Sequence, residues 1–128
     1  GRMIFIEFSR PNYVHSLKNF AKRILDKSLI VYIDCSFETC WRRNVRRHEA
    51  ALAAGLDNHL VSREEMEGTY LHDDKDRLVR FGEESKIPIV MVNTDYEGTA
   101  HYKGIIEEIM KAIRNFQNAD PDEPGLNP

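Results

Sequence analysis

The chain has little cysteine, a single tryptophan and no large excess of either charge sign. Cys35 and Cys40 are too few for a disulfide framework, and neither belongs to a CxxC pair or a Cys/His cluster, which leaves no pattern for a stapled scaffold or a structural zinc site. Both read as reduced, Cys35 in a strand and Cys40 in the first turn of a helix. The formal net charge is −3 and charged residues of both signs make up 30% of the chain. General affinity for nucleic acid is therefore not expected, and only a local basic patch stays open. Apolar runs are strand-sized, far short of the ~20 residues that cross a bilayer, and no signal-peptide pattern precedes Met3. The expectation is a cytoplasmic protein without a membrane partner. GxSxG is missing and neither cysteine has a histidine close in sequence, so nucleophilic catalysis finds no residues to carry it.

What is there suffices for one core: 128 residues, 41% of them hydrophobic, about the length of a single globular domain. Met3 to Phe8 (MIFIEF) reads as a strand with Ser-Arg-Pro-Asn as its exit. Val14, Leu17, Phe20, Ala21, Ile24 and Leu25 recur at helical spacing, with Asn12 as cap. Leu29 to Ile33 (LIVYI) is a strand of the buried type, ending at Asp34. Ser36 caps a helix from Phe37 to Ala54 that stops at Gly55. Leu56 to Val61 has no period and reads as loop. Ser62 and Glu65 form a capping box, with Val61 and Met66 placed for a hydrophobic staple. Gly68 and the charged run His72 to Asp76 leave open whether one helix or two bent pieces follow. Ile87 to Val92 (IPIVMV) is a strand with Pro88 at its entrance, and Tyr102 to Phe116 carries an amphipathic helix.

The fold expected is α/β, a parallel sheet of about three strands flanked by helices, because the strands are too continuously apolar for a sheet wet on one face. Residues 1–117 form the domain, with a lid-like segment at about 55–75. The tail 118–128 (NADPDEPGLNP) has nothing to bury and is expected to be disordered.

Arg42, Arg43, Arg46 and Arg47 cover an arc of about 140° on one helix, while Trp41, Val45, His48 and Leu52 fall within about 60° on the opposite, docking side. Guanidinium forks match phosphate oxygens in a way an ammonium group does not. A solvated face partly neutralised by Glu38 and Glu49 explains the same residues. Glu7, Ser9 and Arg10 follow the first strand, and Asp34 and Asp95 follow the other two, where open α/β folds place their ligands. Each aspartate also fits a simple turn or cap. Asp57, His59, His72, Asp73 and Asp74 match no zinc spacing, so no metal site is assigned.

MIFIEFSRPNY, LIVYIDCSFETCWRRNVRR and IPIVMVNTDY together resemble the third, fourth and last core strands, with their flanking segments, of P-loop nucleoside or nucleotide kinase-like proteins. Only the C-terminal part of that fold is covered, from about Met3 to Phe116. AALAAGLDNHLVSREEMEGTY stands where the lid and its return helix would be. The resemblance implies catalytic roles for Glu7, Arg42 and Arg46, acceptor-substrate contacts from Arg10, Arg43, Arg47 and Asp34, and a nucleotide-cofactor contact from Asn93 and Asp95. ATP and Mg2+ are the cofactors it implies for a full-length form. The partners it implies are a small phosphorylated or nucleoside-like ligand, and a missing N-terminal segment or a homodimer partner to complete the sheet.

This sequence departs from the family in one large respect: no GxxxxGK[ST] occurs in it. The strand bearing that loop would lie between Met3–Phe8 and Leu29–Ile33, so its absence leaves a gap or a rearranged sheet. The expected function is an incomplete phosphotransferase domain, inactive alone. A non-catalytic module binding a phosphate-containing ligand or an acidic partner is the alternative.

Overall fold

The computed structural model describes residues 2–56 and 60–119. Two β-branched runs carry the sheet: β1 (Ile30–Asp34) and β2 (Ile89–Asn93). They pair in parallel from Ile30 opposite Ile89 to Asp34 opposite Asn93, so their carboxyl ends lie side by side. Pro88 precedes β2, where its missing N–H costs no ladder bond, and its carbonyl accepts from Ile30 N at 3.0 Å.

The helices are α1 (Tyr13–Leu17), α2 (Lys22–Leu25), α3 (Phe37–Ala53), α4 (Arg63–Met66), α5 (Lys75–Ser85) and α6 (Tyr102–Ala119), with a π turn at Glu67–Leu71. This is a small α/β domain with a short parallel sheet flanked by helices. None of the helices among the described residues is long and apolar enough to cross a membrane.

Several boundaries follow local chemistry. Ser36 and Ser62 cap α3 and α4, their side chains accepting from Thr39 N and Glu65 N. After α3 the chain turns at Gly55, whose φ of 71° suits a residue without Cβ, and Leu56 N closes on Ala51 O at 2.8 Å. The capping-box segment forms two pieces, α4 and α5, separated by the π turn and by residues 72–74.

Four expectations are corrected. Met3–Phe8 is not a strand, and the sheet has two strands among the described residues rather than about three. A strand needs a neighbour for its backbone groups; this segment pairs with none, and Ile4 and Phe5 are 81% and 78% exposed. The helix expected over Tyr13–Leu25 is broken, because Ala21 adopts an extended conformation (ψ 142°) that stops the stripe begun by Val14 and Leu17. The buried residues of α3 are Thr39 and Asn44 rather than Trp41, Val45, His48 and Leu52, the last being 58% exposed. Hydrophobicity alone misplaced that face: Asn44 Nδ2 donates to the Val61 carbonyl at 2.8 Å, and Thr39 serves the loop after β2. Finally, α6 continues through Ala119, beyond the boundary expected at residue 117. Residues 120–128 lie outside the described residues.

The core gathers Val14, Leu17 and Leu78, with Tyr32, Phe81 and Ile89 packed against it. Gly82 lets α5 approach β2 closely, since a Cβ there would lie 2.3 Å from the Ile89 Cδ1 atom. In contrast α6 has no fully buried residue. Its stripe of Ile109, Ile113 and Phe116 faces an open cleft of about 1960 Å³, which Met3–Phe8 and β1 also line.

Candidate functional site

The parallel register gathers polar residues at the strand ends. Asp34 pairs with Lys75 at 2.8 Å, and that bond raises the Lys75 pKa from its ordinary value. The Asp34 carbonyl accepts from Thr94 N at 2.8 Å, tying the exit of β2 to that of β1. Asn93 Oδ1 accepts from Asp95 N at 2.8 Å, a local turn bond of the kind asparagine makes in loops. Asp95 then reaches the amino end of α3, accepting from the hydroxyls of Thr39 and Ser36. Those two bonds, Thr39 first, hold its carboxyl below the usual carboxylate range, and a negative group there also suits the helix dipole.

A pH dependence follows from this depression. A carboxyl whose pKa is lower in the folded state contributes stability above its unfolded pKa, and that contribution is lost as pH falls through the folded value. Acid titration followed by circular dichroism is expected to show a loss of stability below the ordinary carboxylate range that Asp95→Asn reduces. Identical acid limbs for both proteins would refute the contribution.

The arginines of α3 turn toward the same loop. Arg43 donates to the carbonyls of Thr94 and Tyr96, the latter at 2.9 Å, and Arg43 Nη1 lies 3.4 Å from Cys35 Sγ. Arg42 and Arg46 share one carboxylate, Glu97, at 3.3 and 3.4 Å. All three of these side chains are more than half exposed. Such pairs contribute about 0–1 kcal/mol, so Glu97 is a displaceable partner.

Glu7, Arg43, Arg46 and Arg47 all line the large cleft. Arg42 stands outside it, on a shallow depression shared with Arg46. Arg10 is exposed and donates to its neighbour's carbonyl, Ser9 O, at 3.2 Å. Asp34, Asn93 and Asp95 do not line the cleft; they order its rim. The expected site residues are thus divided: one carboxylate and three arginines share a concavity, Asp34, Asn93, Asp95 and Arg42 bond to or within the loop that carries Glu97, and Arg10 stands apart.

Sequence reasoning missed several participants. Asp74 caps α1 across the fold, its two oxygens accepting from Tyr13 N at 2.6 Å and Val14 N at 2.9 Å. Asp73 accepts from the Tyr32 hydroxyl, and burial, together with that bond, pushes the phenol pKa up. Neither pairing has a sequence signal, because the partners are 60 and 41 residues away. Glu97 and Lys75 carried none either. Thr39 did have one, its place three residues after the Ser36 cap. Tyr96 stacks on His101, ring centroids 4.1 Å apart, on the cleft side of the β2 loop. Among the described residues no group of three or more His, Cys, Asp or Glu could hold a metal ion; Asp57 and His59 lie outside them. Comparison of the chain with family models, with curated proteins and with solved structures found no match.

Proposed function

We propose that this chain is the acceptor-binding part of a small-molecule phosphotransferase, related to nucleoside or nucleotide kinases. The observation that carries the reading is that Glu7, Arg43, Arg46 and Arg47 all line one cleft. A cleft that carries both a carboxylate and guanidinium groups suits a hydroxyl or phosphate acceptor: the carboxylate orients the nucleophilic oxygen, and the arginines offset charge on the phosphoryl group as it moves. Arg42 is the reserve cation beside Arg46, released when a phosphate takes the place of Glu97. The β2 exit loop, with Tyr96 stacked on His101, offers an aromatic surface to a nucleobase.

The donor side requires a phosphate cradle that this sequence does not contain. In the proposed complete enzyme it enters on a strand seated in the cleft, hydrogen-bonded to the free edge of β1 and shielding the apolar stripe of α6. The cleft volume of about 1960 Å³ exceeds the roughly 300–1,000 Å³ of pockets for small ligands, which favours a polypeptide occupant over a metabolite alone.

The test is a calorimetric titration of the isolated chain with ATP and, separately, with nucleosides and nucleoside monophosphates, alongside a steady-state kinase assay. The expected outcome is saturable acceptor binding, no ATP binding and no turnover. Turnover that disappears in Arg46→Ala would show the donor site to be present after all. Acceptor binding to none of the compounds would remove the reading.

A further inference from the structure

We infer that the face formed by Met3–Phe8 and the free edge of β1 docks a second copy of this chain, each copy laying its Met3–Phe8 arm along the β1 edge of the other. The inference goes beyond the proposed phosphotransfer and does not rest on it, since it concerns the chain by itself. Both halves of such a contact are present in every copy. Among the described residues β1 pairs with β2 alone, so its other edge has no strand beside it. Met3–Phe8 is a strand-sized apolar run that pairs with no strand either, and Met3, Ile4, Phe5 and Ile6 are 44%, 81%, 78% and 58% exposed. Its six residues are enough to span the five of β1. The arm is held only at its root, where the Phe8 ring packs against Tyr13 and Phe20 with centroids 5.8 and 6.4 Å apart.

Proteins guard a free sheet edge with lysine, proline or a bulge. β1 reads IVYID and has none of these: its register against β2 is unbroken, its one charge, Asp34, is bonded to Lys75 at 2.8 Å, and Ile33 is left 56% exposed. A second copy suits this edge because a two-fold contact requires one surface to carry both the giving and the receiving element. Reciprocal exchange takes one arm and one edge from each chain, leaves no strand over and stops at two. The area is sufficient. At about 150–250 Å² for a full large side chain, the four exposed side chains of one arm bury roughly 400–600 Å². Two arms and the surfaces they cover then come to roughly 1,600 Å² or more, within the ~1,200–2,000 Å² of stable interfaces. Ile109, Ile113 and Phe116 of α6 line the same cleft as the arm and β1, so an arriving arm gains apolar burial on that stripe as well as ladder hydrogen bonds on the edge.

Sedimentation velocity over a dilution series measures the assembly. The expected result is a two-chain species that dissociates on dilution and that Phe5→Asp and Ile33→Lys each weaken by about thirtyfold or more, the loss of a central apolar contact. Both positions are exposed in the single chain, at 78% and 56%, and circular dichroism checks that each variant folds. Mixing the two variants brings one intact arm to one intact edge, so the mixed dimer is expected to be tighter than the dimer of either variant alone. A single-chain mass at every concentration, as when the arm folds onto its own β1 edge, overturns the inference. So does a dimer indifferent to either substitution, which has its interface elsewhere, or a mixture no tighter than its components. Hydrogen exchange on the wild-type chain decides the matter even if a variant fails to fold: the amides of Met3–Phe8 are expected to be protected at high concentration and to lose that protection on dilution, and exchange independent of concentration would overturn the exchange of arms.

Discussion

Replacing Arg42 and Arg46 together by alanine is expected to weaken binding of a phosphate-bearing acceptor by about a hundredfold or more. Hydrogen bonds to charged groups contribute about 1.5–3 kcal/mol each, and 1.4 kcal/mol is a factor of ten in affinity. The opposite substitution sharpens the test. Glu97 now occupies both guanidinium groups, at 3.3 and 3.4 Å, so a phosphate must displace it. Glu97→Gln removes a competitor whose exposed pairs contribute about 0–1 kcal/mol and is expected to tighten binding by about two- to fivefold. Both effects shrink as salt rises, because these groups stand in solvent. Calorimetric titration of the three proteins at two ionic strengths measures them. Unchanged affinity in the double alanine variant would mean that the arginines serve the helix surface and the β2 loop alone. Weakened binding in Glu97→Gln would mean that Glu97 organises the site instead of occupying it.

Leu78→Ala is expected to cost about 2–5 kcal/mol of folding stability, the range for leucine truncations that leave a cavity. Leu78 is 2% exposed and joins α5 to Val14 and Leu17 of α1. The consequence reaches past packing. Asp74, immediately before α5, accepts from two backbone N–H groups of α1 beside the Asn12 cap, so loosening α5 loosens a helix far away in sequence. Ordinary domains are stable by only about 5–15 kcal/mol, which makes this substitution severe. Ile106→Ala offers the contrast: Ile106 is 58% exposed on α6 and its truncation is expected to stay within about 0.5 kcal/mol. Urea unfolding of both variants measures the difference. Equal losses would mean that the apolar face of α6 is covered in solution, and that the cleft closes on itself or on another chain.

Local signals were legible where they are enforced locally. Ser36, Asn12 and Ser62 each cap the helix their position announced, because a hydroxyl or amide oxygen three residues before an orphan N–H satisfies it whatever the tertiary context. The runs ending at Asp34 and Asn93 became strands because β-branched residues favour the extended chain and because each run found the other. Met3–Phe8 is likewise mostly apolar and stayed unpaired, since a strand exists only with a neighbour and nothing in its own residues says whether one is present. The dense arginine arc was visible as a pattern; the destination of each guanidinium was not.

The sequence by itself determined the caps at Asn12, Ser36 and Ser62, the two paired strands, the amphipathic stripe of α6 and the cluster of guanidinium groups, all set by interactions spanning a few residues. Only the tertiary structure decided that Asp95 accepts from the hydroxyls at the start of α3, that Glu97 holds Arg42 and Arg46, that Asp34 meets Lys75, and that Glu7 shares a cleft with three arginines. Those pairings join residues tens of positions apart. Their geometry follows from the parallel register of β1 and β2, which no periodicity within either strand contains.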